Sequence, residues 1–177
     1  MTPVETIGGP DAAILYSGPR EAFAEHAPRL AALGGTADHV GADPGRAAAF
    51  EVALLDLFWT SMSGLVHAFA LADAEGVAAR DLAPCAQGVA ALLGPIADEF
   101  AGHLEAGRHD GDTSTLASAL AGIEHVAEAS AARGLDTGVI DAARRMARRG
   151  VDAGAGRESF SSLTRELLAA AGRAAAA

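Results

Sequence analysis

The stretch from Asp43 to Gly76 constrains this chain more than any other. Asp43 can cap a helix, Pro44 suits a first helical position, and no further proline interrupts until well past Gly76. The pattern predicts one long helix: roughly thirty residues at ~1.5 Å each give about 50 Å, more than a small domain needs. Ala47, Phe50, Leu54, Leu57, Phe58, Ser61, Leu65 and Phe69 form an apolar stripe, and Leu55, Trp59, Met62 and Val66 make a second face nearly as apolar. A helix apolar on most sides must be covered on most sides. A chain of 177 residues has little else to cover it with, so the pattern points to burial against a partner subunit.

The remaining composition agrees with a helical protein. Half the residues are hydrophobic, largely alanine, the strongest helix former, with only six Phe, one Trp and one Tyr. The length allows one medium domain, or one domain with a short appendage, and a core that needs no disulfides. A net charge of -10 repels phosphate backbones and anionic lipid, which excludes nucleic acid as a partner. Cys85 is the only cysteine, so no intrachain disulfide and no multi-cysteine zinc site can form, and a reducing cytoplasm is the expected location. The N-terminal stretch has no basic region followed by an apolar one, and no uninterrupted apolar run approaches the ~20 residues of a membrane span, so no membrane association is expected.

The first forty residues have a different texture. "AAILYSG" reads as a strand closed by a turn, "REAFAEHAPRLAAL" as a helix stopped by Gly34-Gly35, and "TADHVG" as a second strand. Such a unit cannot be stable alone and must lean on the helical part or on another chain. Beyond Gly76, breakers divide the chain into helices: "DLAPCAQGVAALL", a kink at Gly94-Pro95, "IADEFAGHLEAG", a polar loop "RHDGD", and a helix capped by Asp112 or Thr113 and ending at Gly134. Two further helices, "TGVIDAARRMARRGVDAG" and "ESFSSLTRELLAAAG", follow.

Among ionisable residues, Glu51 stands out because it interrupts the apolar run "AAAFEVALL". A carboxylate there is costly unless it is paired or faces a cavity, and burial of a carboxyl favours the neutral form that general acids use. Glu51 is therefore the candidate acid or base, with a salt bridge or an exposed stripe as the plainer alternative. Asp56 points to another side of the helix and suits a structural or dimer-edge role. Trp59 and Met62, eight and eleven positions after Glu51, lie near its face; they line its pocket or else are plain core. His67 and His125 read as hydrogen-bonded core histidines, with a proton-relay role for His125 as the weaker option, and no HxxxH or HExxH spacing supports a metal. Arg144, Arg145, Arg148 and Arg149 form a basic strip at i, i+4 spacing, read as a salt-bridged face with phosphate binding as a minority option. No G-x-G-x-x-G, P-loop or G-x-S-x-G occurs, so no cofactor-binding residue is assigned.

The collinear order of "GGPDAAILYSGPREAFAEHAPRLAALGG", "HVGADPGRAAAFEVALLDLFWTSMSGLVHAFAL", "EGV" and "GIEHVAEASAARG" resembles the imine reductases and reductive aminases of the β-hydroxyacid dehydrogenase superfamily. The resemblance implies a mainly α fold like the 6-phosphogluconate dehydrogenase C-terminal domain, built on one long central helix in residues 43–177. It also implies that residues 1–42 are a remnant strand-helix-strand from the end of an NADPH-binding Rossmann domain. Helical domains of such enzymes intertwine in homodimers, with active sites between chains. The family's proton donor, an aspartate or in some members a tyrosine, falls at Glu51, and the tyrosine that reductive aminases add two turns later falls at Trp59. The implied site is Glu51 as catalytic carboxylate, with Leu55, Trp59, Met62 and His125 as substrate pocket.

Three functions compete at this point. The chain is the substrate-binding and dimerisation part of an NADPH-dependent imine reductase, unable to transfer hydride by itself. Alternatively it is a cofactor-free acid/base enzyme that uses Glu51 in an enclosed pocket on an amine, imine or carbonyl compound. The third reading is a non-catalytic dimeric binding module in which side chains fill the region around Glu51.

Overall fold

The computed structural model describes residues 7–10 and 12–175, the last three by backbone alone. The fold is mainly α, as the pattern predicts. The described residues form two compact units that divide between Met62 and Ser63, partway along the long helix.

In the first unit, β1 (Ala13–Tyr16) is followed by helix α1 (Arg20–Leu30) and β2 (Thr36–His39), and the strands pair in parallel from Ala13↔Thr36 to Tyr16↔His39. Phe23 pins α1 to the pair, its ring centroid 5.6 Å from that of Tyr16 and 5.1 Å from that of His39, and His39 Nε2 lies 2.9 Å from the Gly18 carbonyl oxygen. The entry to β2 requires glycine: Gly35 has φ +63°, and a Cβ there would stand 1.6 Å from the Ala12 carbonyl oxygen.

Helix α2 (Arg46–Ala74) is the long helix. Its start differs from the expected Asp43 cap. The Asp43 carboxylate instead accepts from the Gly45 N–H at 2.8 Å, closing a turn. The capping group is Ser17, whose Oγ accepts from the Ala47 N–H at 3.1 Å and donates to the Pro44 carbonyl at 2.8 Å. A cap supplied from thirty positions upstream leaves no local signature. No residue of α2 is buried within the chain. Val52, Trp59 and Val66 are 68%, 62% and 67% exposed. By length and composition α2 could also cross a membrane, which corrects the expectation that nothing here reaches that span. The polar residues that break the apolar run do not lower the helix average enough.

The second unit contains the end of α2 followed by α3 (Ala79–Ala91), α4 (Leu93–Ala106), α5 (Leu116–Ala132), α6 (Gly138–Gly150) and α7 (Leu163–Ala175). The expected kink at Gly94-Pro95 falls two residues earlier, at Leu92, and Pro95 lies in the first turn of α4, where a missing N–H is tolerated. Thr115 caps α5 by accepting from the Ser118 N–H at 3.2 Å, in place of the expected Asp112 or Thr113. The core joins Leu116 and Leu120 of α5 to Ala147, Ala155 and Leu163, with Ile123, Met146, Val151 and Phe160 packed around them. Gly150 lets α6 approach this core: a Cβ there would meet Leu163 Cδ2 at 2.5 Å and Leu116 Cδ2 at 2.7 Å. Gly150→Ala should therefore overpack the core and lower the stability measured in urea by about 1–3 kcal/mol.

An exposed bidentate pair joins Arg133, just past α5, to Glu75, just past α2, with both N–O distances 2.7 Å. The Arg133 guanidinium, chiefly through these hydrogen bonds, holds the Glu75 carboxyl below its usual 4.5. A depressed carboxyl stabilises the fold above its unfolded value and loses that contribution as pH falls through the folded one. The difference in urea midpoint between wild type and Glu75→Gln should thus be present at neutral pH and shrink as pH falls below the usual carboxyl value.

Candidate functional site

Glu51 lies on the second turn of α2, where the Ser17 cap sets the start of the helix beside β1. It is exposed, and it lines a cleft of about 570 Å³ together with Ile7, consecutive residues of β1 from Ala13 to Tyr16, then Ser17, Pro44, Ala47 and Ala48. Alternate side chains of a strand point to opposite faces, so a cleft lined by consecutive strand residues runs along the strand's edge. Among the described residues Glu51 is the only carboxylate in this lining, and the rest is apolar apart from the Ser17 hydroxyl and Tyr16. Tyr16 Oη is buried and has no hydrogen-bond partner among the described residues. Among the described residues the cleft is open to solvent, and they form neither an enclosed pocket at Glu51 nor a region filled by side chains.

The other expected site residues lie elsewhere. Leu55 is half-buried and Trp59 and Met62 are exposed further along α2, and none of the three lines the Glu51 cleft. Trp59 packs edge-on against Phe58, with centroids 5.1 Å apart. His125 is exposed on α5 in the second unit. Sequence reasoning overlooked Tyr16 and Ser17 as cleft residues; the only available signal was a tyrosine and a serine ending an apolar strand.

His67 departs from its expected role. Its Nε2 is buried without a hydrogen-bond partner among the described residues, at the wall of an apolar groove of about 450 Å³ that includes Leu71, Val126, Val139 and Ile140. The basic strip is half neutralised: Arg144 pairs with Asp141 at 2.9 Å and Arg148 pairs with Glu124, while Arg145 and Arg149 hold no carboxylate among the described residues. Among the described residues no three His, Cys, Asp or Glu converge as metal ligands.

The β1–α1 turn does not fit the diphosphate of a dinucleotide cofactor. The β1–α1 turn is Ser17-Gly18-Pro19, with a proline at the N-cap of α1 and no side-chain cap, so the glycine cradle and the proline-free amide array that hold a diphosphate are not built there.

Comparison with known proteins places this geometry. Residues 43–169 match the family model of the NADPH-dependent reductive aminase-like C-terminal domain. An NADPH-dependent reductive aminase of Aspergillus oryzae is 34% identical over 131 residues, which cover 70% of this chain and 43% of that protein. Among solved structures, an imine reductase of Bacillus cereus superposes with a TM-score of 0.87 at 32% identity, and one of Streptomyces aurantiacus with 0.86 at 38%; each comparison covers 94% of this chain and 58% of the other. A reductive aminase of Aspergillus terreus, in complex with NADPH and ethyl levulinate, gives 0.81 at 32% identity over 92% of this chain and 57% of its own. The chain thus spans less than two thirds of the length of these relatives. With the family model covering most of the sequence and the helical architecture matching throughout, the chain belongs to the reductive aminase-like C-terminal domain family of the imine reductases.

Proposed function

We propose that this chain is the substrate-side and dimerisation part of an NADPH-dependent imine reductase-type enzyme, with residues 43–177 forming the helical domain and Glu51 as its proton-handling carboxylate. The observation that carries the reading is the cleft itself, an open and largely apolar groove with Glu51 as its one carboxylate. A small amine, imine or carbonyl compound is apolar over most of its surface and basic or polar at one atom, which suits such a lining. Protonated, Glu51 donates to the substrate nitrogen or oxygen; ionised, it holds a cationic iminium in place. NADPH is the cofactor named for the relatives, and its hydride chemistry belongs to a nucleotide-binding domain outside the residues described.

The uncovered apolar surface supports the second half of the proposal. Apolar side chains stand open along α2, α3 and α4: Val66, Val89 and Leu93 are 67%, 67% and 47% exposed. A homodimer in which these helices cover each other buries these side chains, and Leu55, Trp59 and Met62 then line a pocket completed by the partner.

The test is to join the chain to an NADPH-binding Rossmann domain taken from an imine reductase and follow NADPH oxidation with a cyclic imine. Turnover with the domain, and no heat on titrating NADPH into the chain alone, is the expected result. Micromolar NADPH affinity in the isolated chain would sink the division of roles. A cofactor-free acid/base function rests on the same carboxylate and would show instead as turnover without NADPH.

A further inference from the structure

Helix α4 packs chiefly against α3 and against the 160–162 turn that precedes α7, and at the second of these contacts one hydroxyl serves two histidines. Ser161 is fully buried, and its Oγ lies 3.0 Å from Nδ1 of His103, on α4, and 2.9 Å from Nδ1 of His109, in the loop that follows. The two rings are 6.2 Å apart and nearly perpendicular, at 72°. The Ser159 N–H donates to the His109 carbonyl at 2.9 Å, which fixes the loop against the same turn.

Counting protons decides how this cluster works. A hydroxyl has one proton to give and two lone pairs to accept with. With both histidines neutral, pairing the hydroxyl proton as well requires one histidine to carry its proton on Nδ1 and donate to Ser161, and the other to be bare at Nδ1 and accept from it. Glu99 Oε1, 4.0 Å from His103 Nδ1, favours the proton on that nitrogen, so His103 donates and His109 accepts. A proton added at Nε2 of His103 breaks no hydrogen bond. A second, on Nδ1 of His109, makes both nitrogens donors, strands the hydroxyl proton and places two cations side by side in a half-buried site. Nearby, Arg108 pairs with Asp110 at 3.0 Å and Glu158 with Arg165 at 2.8 Å, and among the described residues Glu99 is the one carboxylate paired with either ring, at 4.0 Å from His103.

We propose that His103, Ser161 and His109 form a proton-sensitive latch, with His109 as the sensor, that holds α4 against the C-terminal turn at neutral pH and loosens it in mild acid. Histidine is the side chain that changes charge in this range. Because α4 carries the exposed apolar residues Leu93, Ile96 and Leu104, the latch sets where that apolar face stands. The inference does not depend on the role of Glu51.

Hydrogen exchange of the full chain at about pH 7.5 and about pH 5.5, corrected for intrinsic rates, tests it. Wild-type protection over residues 97–112 should fall about tenfold in acid, the cost of one buried hydroxyl proton left without an acceptor. His109→Asn, which places a non-titrating amide near the Nδ1 position, should hold protection within about twofold at both pH values, and Ser161→Ala should be low at both. Equal wild-type protection at the two pH values, or the same acid loss in His109→Asn, would overturn the proposal. Should Ser161→Ala not fold, nitrogen shifts of the wild-type histidines decide: opposite tautomers at neutral pH support the latch, and identical tautomers refute it.

Discussion

Glu51→Gln is expected to lower imine turnover by about 10²- to 10⁴-fold once the chain is joined to an NADPH-binding domain, the range over which a positioned acid contributes to a reaction. Glutamine matches the size and hydrogen-bonding reach of glutamate but has no proton to transfer. The loss should therefore fall on kcat, while substrate KM changes less and the assembly state stays as it was. Glu51→Asp should recover part of the rate, since a shorter carboxyl can still donate across an open cleft. Measuring steady-state kinetics of the three proteins side by side settles it, and Glu51→Gln turning over within about threefold of wild type would remove Glu51 from the chemistry. Tyr16 gives a useful contrast, because its buried hydroxyl lies in the same lining but has no partner among the described residues through which to pass a proton.

Val66→Asp should separate the subunits, with an expected rise of at least about 100-fold in the dimer dissociation constant, read by sedimentation over a dilution series. Val66 is 67% exposed on α2, so in the single chain the substitution costs little. In a symmetric dimer the residue occurs twice at the same patch, and each copy would bury an unpaired carboxylate in apolar surroundings, so the two costs add. A wild-type chain that is monomeric at micromolar concentration, or a variant that dimerises equally well, would show that something other than a second copy covers α2.

The helices were legible because their signals are local. Alanine content, the breakers Gly76, Gly107 and Gly134, and the period of the apolar residues along 46–74 all act within a few turns, so the number and order of helices followed from pattern alone. Caps were less legible. Asp43 and Asp112 were reasonable choices by position, but the groups that act are Ser17 and Thr115, one of them brought in from across the first unit. The kink near Pro95 was placed two residues late because proline is tolerated in a first turn and the break fell before it.

The site was legible in part. An isolated carboxylate in an apolar run drew attention to Glu51 for a physical reason, the cost of leaving it unpaired. Trp59 and Met62 were chosen to accompany it by helical spacing, but the cleft turned out to be built by β1 and the Ser17 turn, which that spacing does not describe. Periodicity describes one element at a time and cannot say which other element lies alongside.

By itself, then, the sequence determined a mainly helical chain with one long apolar helix that a chain of this length cannot cover, and it marked Glu51 as the carboxylate out of place. Only the tertiary structure decided that Glu51 opens onto the edge of β1, that Ser17 starts the long helix, and that Ser161 gathers His103 and His109 across more than fifty residues. Local propensity and period are carried by neighbours in the chain, whereas a cleft, a distant cap and a shared hydroxyl exist only once segments far apart have packed.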